Sequence, residues 1–238
     1  MTTIFSANTG FLWPGLPFLD RIARAAEAGF GAVEFHDEAQ REDPDAVARA
    51  LAEAGLPLVG MNVRMGDTSG CAAVPGQETQ ARADFDAAHA VADRLDARAI
   101  HVVAGRTEAA DRLDVLARAL TEFAGRTDRT LLVEPIAAIP GFAVPHIDDA
   151  ARVVDRVGAP NVKIMFDTFH IGSMGLDLIR AWDAHRGRIG HVQIAAPGTR
   201  LAPGPDDTAL RAFLDHARPA FAGCEWKDPE SAATPPAW

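Results

Sequence analysis

"TLLVEP", residues 130–135, decides how this chain is read. Its apolar, partly β-branched run has the composition of a strand buried on both faces, yet it ends in Glu134 and then in Pro135, which cannot continue a hydrogen-bonded ladder. A carboxylate at the tip of a buried strand is either incidental or one instance of a pattern. The pattern recurs. "VKIMFD" (162–167) ends in Asp167, "HVQIA" (191–195) carries Gln193, and "GCEW" (223–226) carries Glu225. The four residues lie 33, 26 and 32 positions apart, each about one strand–helix unit.

The same alternation extends back to the amino terminus. "TIFSAN" (3–8) reads as a strand, followed by a helix over 17–29 in which Phe18, Ile22, Ala25 and Ala26 share a face and Gly29 is the stop. "AVEFH" (32–36) precedes a helix over 44–55, with Asp43 as N-cap, Pro44 at the first position and Gly55 at the end. "PLVGMNV" (57–63) leads through a polar loop to a helix near 78–95, and "RAIHVVAG" (98–105) to one near 108–125. Helices near 147–157, 174–186 and 206–217 follow the fifth, sixth and seventh strands, and "FAGCEW" (221–226) is the eighth strand. Eight strands with seven clear helices in 238 residues predict a (β/α)8 TIM barrel, one domain over 1–238, with a vestigial last helix. A doubly wound open sheet is the rival, but no GxGxxG follows the first strand to favour its dinucleotide-binding form.

Composition narrows the function classes. Hydrophobic residues make up 48% and charged residues 24%, ordinary values for a globular chain able to bury a large core. A formal charge of −10 disfavours nucleic acid and anionic membrane, whose binding depends on clustered Lys and Arg. The two cysteines, Cys71 and Cys224, form no metal-binding spacing and no disulfide framework. With no apolar run of membrane-spanning length and no leader-like amino terminus, the expectation is a cytoplasmic enzyme.

In a barrel the four strand tips share the C-terminal rim, where active sites of this fold lie. Three carboxylates gathered at a buried rim require compensation by protons or a cation. Glu134, Asp167, Gln193 and Glu225 together offer an all-oxygen set suited to Mg²⁺ or Mn²⁺ rather than to zinc. His101 in the fourth strand and His170, three residues after Asp167, are positioned to hydrogen-bond a substrate hydroxyl or carbonyl while neutral. His191 reads as barrel filling behind Gln193. Arg64, Arg106 and Arg200 are the basic residues near the rim, at least one of which an anionic substrate would need. The glycine-rich stretch 66–76 reads as a loop over the site, and Trp13 as a pocket wall or a subunit contact.

With these residues in place, the chain resembles the hydroxypyruvate isomerase branch of the xylose isomerase-like TIM barrels. The resemblance runs from "FSAN" (5–8) to "GCEW" (223–226) and includes "RAAEAGFGAVEF", "VPG" (74–76), "LLVEPI", "IPGF" (139–142), "PNVKIMFDTFH" and "RIGHVQIA". It implies that Glu134, Asp167, Gln193 and Glu225 are metal ligands and that Glu134 and Glu225 also move the proton. It further implies that His101, His170 and Arg200 face the substrate, and it suggests a homodimer. Two loops depart from the family pattern: Ala137 stands where asparagine commonly follows "EPI", and "PGTRLAPGPDD" replaces "PGR…PGxGE".

The expected reaction is the interconversion of a hydroxyketone and a hydroxyaldehyde, hydroxypyruvate and tartronate semialdehyde above all, through an enediolate on a small anionic or sugar-like substrate. A 2-oxo-tetronate isomerase or ketose 3-epimerase is the nearest alternative, and a catalytically silent metabolite-binding barrel is the alternative from another class.

Overall fold

The computed structural model describes residues 2–228 and 232–236. Eight parallel strands close into a barrel in chain order: β1 (Ile4–Asn8), β2 (Ala32–Phe35), β3 (Leu58–Asn62), β4 (Ala99–His101), β5 (Thr130–Val133), β6 (Val162–Asp167), β7 (Ile189–Ile194) and β8 (Phe221–Cys224). The seam pairs Ile4 with Phe221 and Ala7 with Cys224, so no sheet edge is left and the open-sheet alternative is excluded. Outside the barrel lie α1 (Phe18–Glu27), α2 (Pro44–Ala54), α3 (Glu78–Leu95), α4 (Arg112–Ala124), α5 (Ile147–Val157), α6 (Thr168–Ser173), α7 (Leu178–His185) and α8 (Thr208–Ala217). No helix follows β8 among the described residues, and none of the described helices is long and apolar enough to cross a membrane.

Helix boundaries follow local chemistry. The Asp43 side chain accepts from the Asp45 amide at 3.1 Å, Pro44 opens α2, and Gly55 closes it with φ 68°. Two boundaries differ from the sequence expectation. The helix expected over 108–125 starts only at Arg112, because Arg106 bridges to Phe142 and the Thr107 amide donates to Gly141, holding that loop against its neighbour. The helix expected over 174–186 is two helices. Asp167 Oδ1 accepts from the Phe169 amide at 2.8 Å and starts α6 directly at the strand end, Gly175 breaks the run at φ 74°, and Asp177 caps α7. The glycine and serine in "TFHIGS" mask α6 from a propensity reading.

Aromatic pairs punctuate the largely aliphatic packing around the barrel. Phe85 of α3 stacks on Phe123 of α4 at 4.2 Å, and Phe166 of β6 stacks on Phe213 of α8 with Trp182 edge-on at 5.9 Å. Each fully buried phenylalanine contributes roughly 2–3 kcal/mol. Trp13 also belongs to this core: it is fully buried, edge-on to Phe30 at 5.9 Å, and does not line the cavity described below.

One row of register partners matters for the site. Asp167 pairs with Gln193, Gln193 with Gly223, and Gly223 with Ser6, so side chains from β6, β7, β8 and β1 sit at one level of the barrel.

Candidate active site

Glu134 follows the last residue of β5, Asp167 ends β6, Gln193 is the penultimate residue of β7, and Glu225 follows β8. All four are buried at the C-terminal end of the barrel. Glu134, Gln193 and Glu225 line a cavity of about 110 Å³ together with His101, His170 and Arg200. Asp167 has no exposed surface and joins this group through Arg200.

The ligand atoms of Glu134, Asp167 and His170 lie within 4.8 Å of one another, a group able to hold a metal ion. His170 is thus drawn into the carboxylate cluster, beside the four residues expected from sequence. Glu134 Oε1, Gln193 Oε1 and Glu225 Oε2 are buried without any hydrogen-bond partner. Buried polar oxygens are nearly always satisfied, so three orphaned acceptors converging on one cavity match the donor set of a hard divalent cation.

The Arg200 guanidinium sits among them. Nη2 donates to Glu225 Oε1 at 2.8 Å and to Asp167 Oδ2 at 3.2 Å, and Nη1 donates to His170 Nε2 at 2.8 Å. Its plane is held between Phe11 and Phe169, 4.7 and 4.9 Å from the ring centroids. The backbone of Arg200 adopts φ 54°, and its carbonyl accepts from the Lys227 amide at 2.8 Å. The left-handed region is costly for a non-glycine residue, so the surrounding contacts hold this loop in place.

Burial and like charge set the protonation pattern. Burial, then the neighbouring Glu225 and Asp167, push the Glu134 carboxyl well above its usual range. Burial raises Asp167 to about 7 against the opposing pull of Arg200. Glu225 goes the other way: burial would raise it, but Arg200 and His36 hold it at about 2. Burial drops His101 to about 4 and His170 to about 3, so both are neutral hydrogen-bonding groups at pH 7. His101 Nε2 lies 3.8 Å from Glu134 Oε2, and its Nδ1 is 3.2 Å from Asn62 Oδ1.

Arg64 is not brought into this group. β3 ends at Asn62 and the chain turns out of the ladder, leaving Arg64 exposed and absent from the cavity lining. Arg106 is likewise exposed. The 66–76 stretch is anchored rather than open: Gly70 bridges to Ala104 at φ 83°, where a Cβ would stand 2.1 Å from the Val103 carbonyl, and Ser69 reaches the cavity. Asp207 caps α8 by accepting from the Leu210 amide at 3.1 Å.

Sequence reasoning passed over Asn8, Phe11 and His36, which line the cavity from the ends of β1 and β2. It also passed over Glu34. His36 Nε2 is 3.8 Å from Glu225 Oε1, and its ring is edge-on to Phe11. The available signal was a carboxylate in the middle of the apolar strand "AVEFH" with a histidine at its tip.

The xylose isomerase-like TIM barrel family matches residues 22–238. The chain belongs to that family. Hydroxypyruvate isomerase of Escherichia coli is 31% identical over 240 residues, covering 94% of this chain and 93% of the relative. The 2-oxo-tetronate isomerase of Cupriavidus necator is 34% identical over 212 residues, covering 84% and 81%. Among solved structures, one described as an AP endonuclease, family 2, from Brucella melitensis superposes with a TM-score of 0.89 at 32% identity, covering 98% of this chain and 95% of that one. Within the family the sequence stands with the hydroxypyruvate isomerase-like isomerases.

Proposed function

We propose that the barrel interconverts a small 2-oxo-3-hydroxy acid and its 2-hydroxy-3-oxo isomer, with hydroxypyruvate and tartronate semialdehyde as the first pair to test, in the presence of Mg²⁺ or Mn²⁺. The observation that carries this reading is the set of buried, partnerless oxygens on Glu134, Gln193 and Glu225 around one cavity. With Asp167 they would hold the cation, and His170 closes the group from α6. When bound, such an ion polarises a carbonyl and stabilises negative charge developing on adjacent oxygens.

The protein supplies the proton transfer. Glu134 and Glu225 follow β5 and β8 and meet at the same cavity, so one removes the proton from the hydroxyl-bearing carbon and the other delivers a proton to the former carbonyl carbon, while the hydroxyl proton passes to the former carbonyl oxygen. Neutral His101 and His170 donate to or accept from substrate oxygens. Arg200, already turned into the cavity, faces the substrate carboxylate. The cavity volume of about 110 Å³, below the range of ligand sites for larger molecules, favours three- or four-carbon acids.

The 2-oxo-tetronate isomerase relative supports a second reading within the same chemistry, in which the substrate carries one more carbon. A nucleic-acid substrate is not favoured, since the chain carries a formal charge of −10. The test is proton NMR in D₂O on protein stripped with EDTA and reloaded with Mg²⁺ or Mn²⁺. Metal-dependent deuterium incorporation into hydroxypyruvate with formation of tartronate semialdehyde is the expected result. Exchange into a ketose alone would move the assignment to an epimerase, and no exchange into any candidate would leave a binding barrel.

A further inference from the structure

Beneath the cavity, three side chains from β1 and β7 converge on Glu34, which is almost fully buried in the middle of β2. Glu34 Oε1 accepts from Ser6 Oγ and from His191 Nε2, the latter at 2.9 Å. Glu34 Oε2 accepts from Gln193 Nε2 at 2.9 Å. The opposite end of that amide, Gln193 Oε1, is buried, partnerless and at the cavity.

A glutamine amide presents either an acceptor oxygen or an NH₂ donor, and the two ends have nearly the same shape. Toward a cation the choice is decisive, because the oxygen ligates and the NH₂ repels. Ser6 and His191 hold one Glu34 oxygen by donation, leaving the second to face Gln193 purely as an acceptor. A reversed amide would set Gln193 Oε1 against a carboxylate oxygen, so only the observed orientation is bonded. The barrel reserves space for this arrangement. A Cβ on Gly223, the register neighbour of both Ser6 and Gln193, would stand 2.3 Å from Glu34 Oε1, although the glycine has an ordinary backbone conformation.

We infer that Glu34 is a positioning residue that locks the Gln193 amide with its oxygen toward the cation site. The inference rests on the metal reading of the cavity and adds a residue to it that touches neither substrate nor metal. It makes a specific prediction for Glu34→Gln. The amide oxygen introduced at position 34 keeps the Ser6 and His191 bonds, and the accompanying NH₂ points at Gln193, which must turn its own oxygen inward to accept. The variant stays fully hydrogen-bonded while the Gln193 NH₂ now faces the cation. Exchanging the two residues, Glu34→Gln with Gln193→Glu, restores an oxygen at the cation site and keeps the buried charge.

The experiment titrates EDTA-stripped protein with Mn²⁺, reading free Mn²⁺ by electron paramagnetic resonance, with thermal unfolding in EDTA measured in parallel. The single variant should bind Mn²⁺ about 10–100-fold more weakly than wild type, the range for losing a residue that orients a ligand. The exchanged variant should recover to within about threefold. Wild-type Mn²⁺ affinity in the single variant, with only a lowered melting temperature, would show a merely structural role and overturn the inference. Should the single variant not fold, the exchanged variant decides alone: a folded protein with near-wild-type affinity upholds the lock, and one that has lost Mn²⁺ overturns it. Absence of Mn²⁺ binding by the wild type is a separate failure that removes the metal reading, and this inference with it.

Discussion

Arg200 donates through Nη2 to Glu225 Oε1 at 2.8 Å, which places a permanent positive charge where the strand tips converge. The same nitrogen reaches Asp167 at 3.2 Å, so one side chain from the loop after β7 compensates acids on β6 and after β8. That double engagement separates two roles that a sequence motif would merge: support of the carboxylate cluster and contact with substrate.

Replacing Arg200 with methionine tests both roles. Breaking a buried ion pair from one side costs about 3–5 kcal/mol, so the metal-free variant should unfold at a markedly lower temperature than metal-free wild type. Added Mn²⁺ should recover most of that loss, because a cation would take over the compensation. The kcat/KM should fall about 100-fold from the missing charge-assisted bond to a substrate carboxylate. Unchanged kcat/KM would remove Arg200 from the substrate contacts.

Glu134→Gln and Glu225→Gln each keep shape while removing a proton carrier. Either substitution should reduce turnover at least about 100-fold, the lower end of what general acid–base catalysis supplies. Deuterium incorporation into substrate in D₂O is the direct readout. Wild-type exchange rates in both variants would sink the two-glutamate mechanism.

Gly223→Ala tests the space under the site without altering a proposed ligand. The new methyl would meet the Glu34 carboxylate at 2.3–2.6 Å, too close for any real contact, so Glu34 must shift. The cost should be about 1–3 kcal/mol of stability, the range for overpacking a core. The displacement should also weaken Mn²⁺ binding about tenfold. Retention of both properties would mean that Glu34 relocates freely.

Cys71 offers a pH-dependent check on the 66–76 loop. Burial, reinforced by the adjacent Asp84 carboxylate, pushes its thiol from 9.0 up to about 11. The thiolate is the reactive form, and a rise of about two pH units in its formation lowers its population at pH 8 about 100-fold. Alkylation of native protein at pH 8 should therefore run about 100-fold slower than that of urea-unfolded protein, accelerating about tenfold per pH unit until near pH 11. Asp84→Asn should speed it, and an unfolded-like rate in native wild type would show that the loop does not hold its place.

Much of the architecture was legible in the chain itself. Strand composition, the Asp43–Pro44 start and Gly55 stop of α2, and the spacing from Glu134 to Glu225 are local properties, carried by backbone preferences and by chain length between repeats. Boundaries were less legible where a tertiary contact overrode propensity, as at α6, whose first turn is set by Asp167 rather than by its glycine- and serine-containing sequence.

The sequence by itself determined that eight strands would alternate with helical segments and that four oxygen-bearing side chains would share one rim. Only the tertiary structure decided that β8 closes on β1, that Trp13 packs in the core, and that Arg64 stays outside while His36 lines the cavity. It alone placed Arg200 between Asp167 and Glu225 and turned the Gln193 amide by way of Glu34, 159 residues away in the chain. The reason is physical: periodicity and capping act within a few residues, whereas hydrogen-bond orientation and charge compensation depend on which distant side chains the closed barrel brings within about 3 Å of each other.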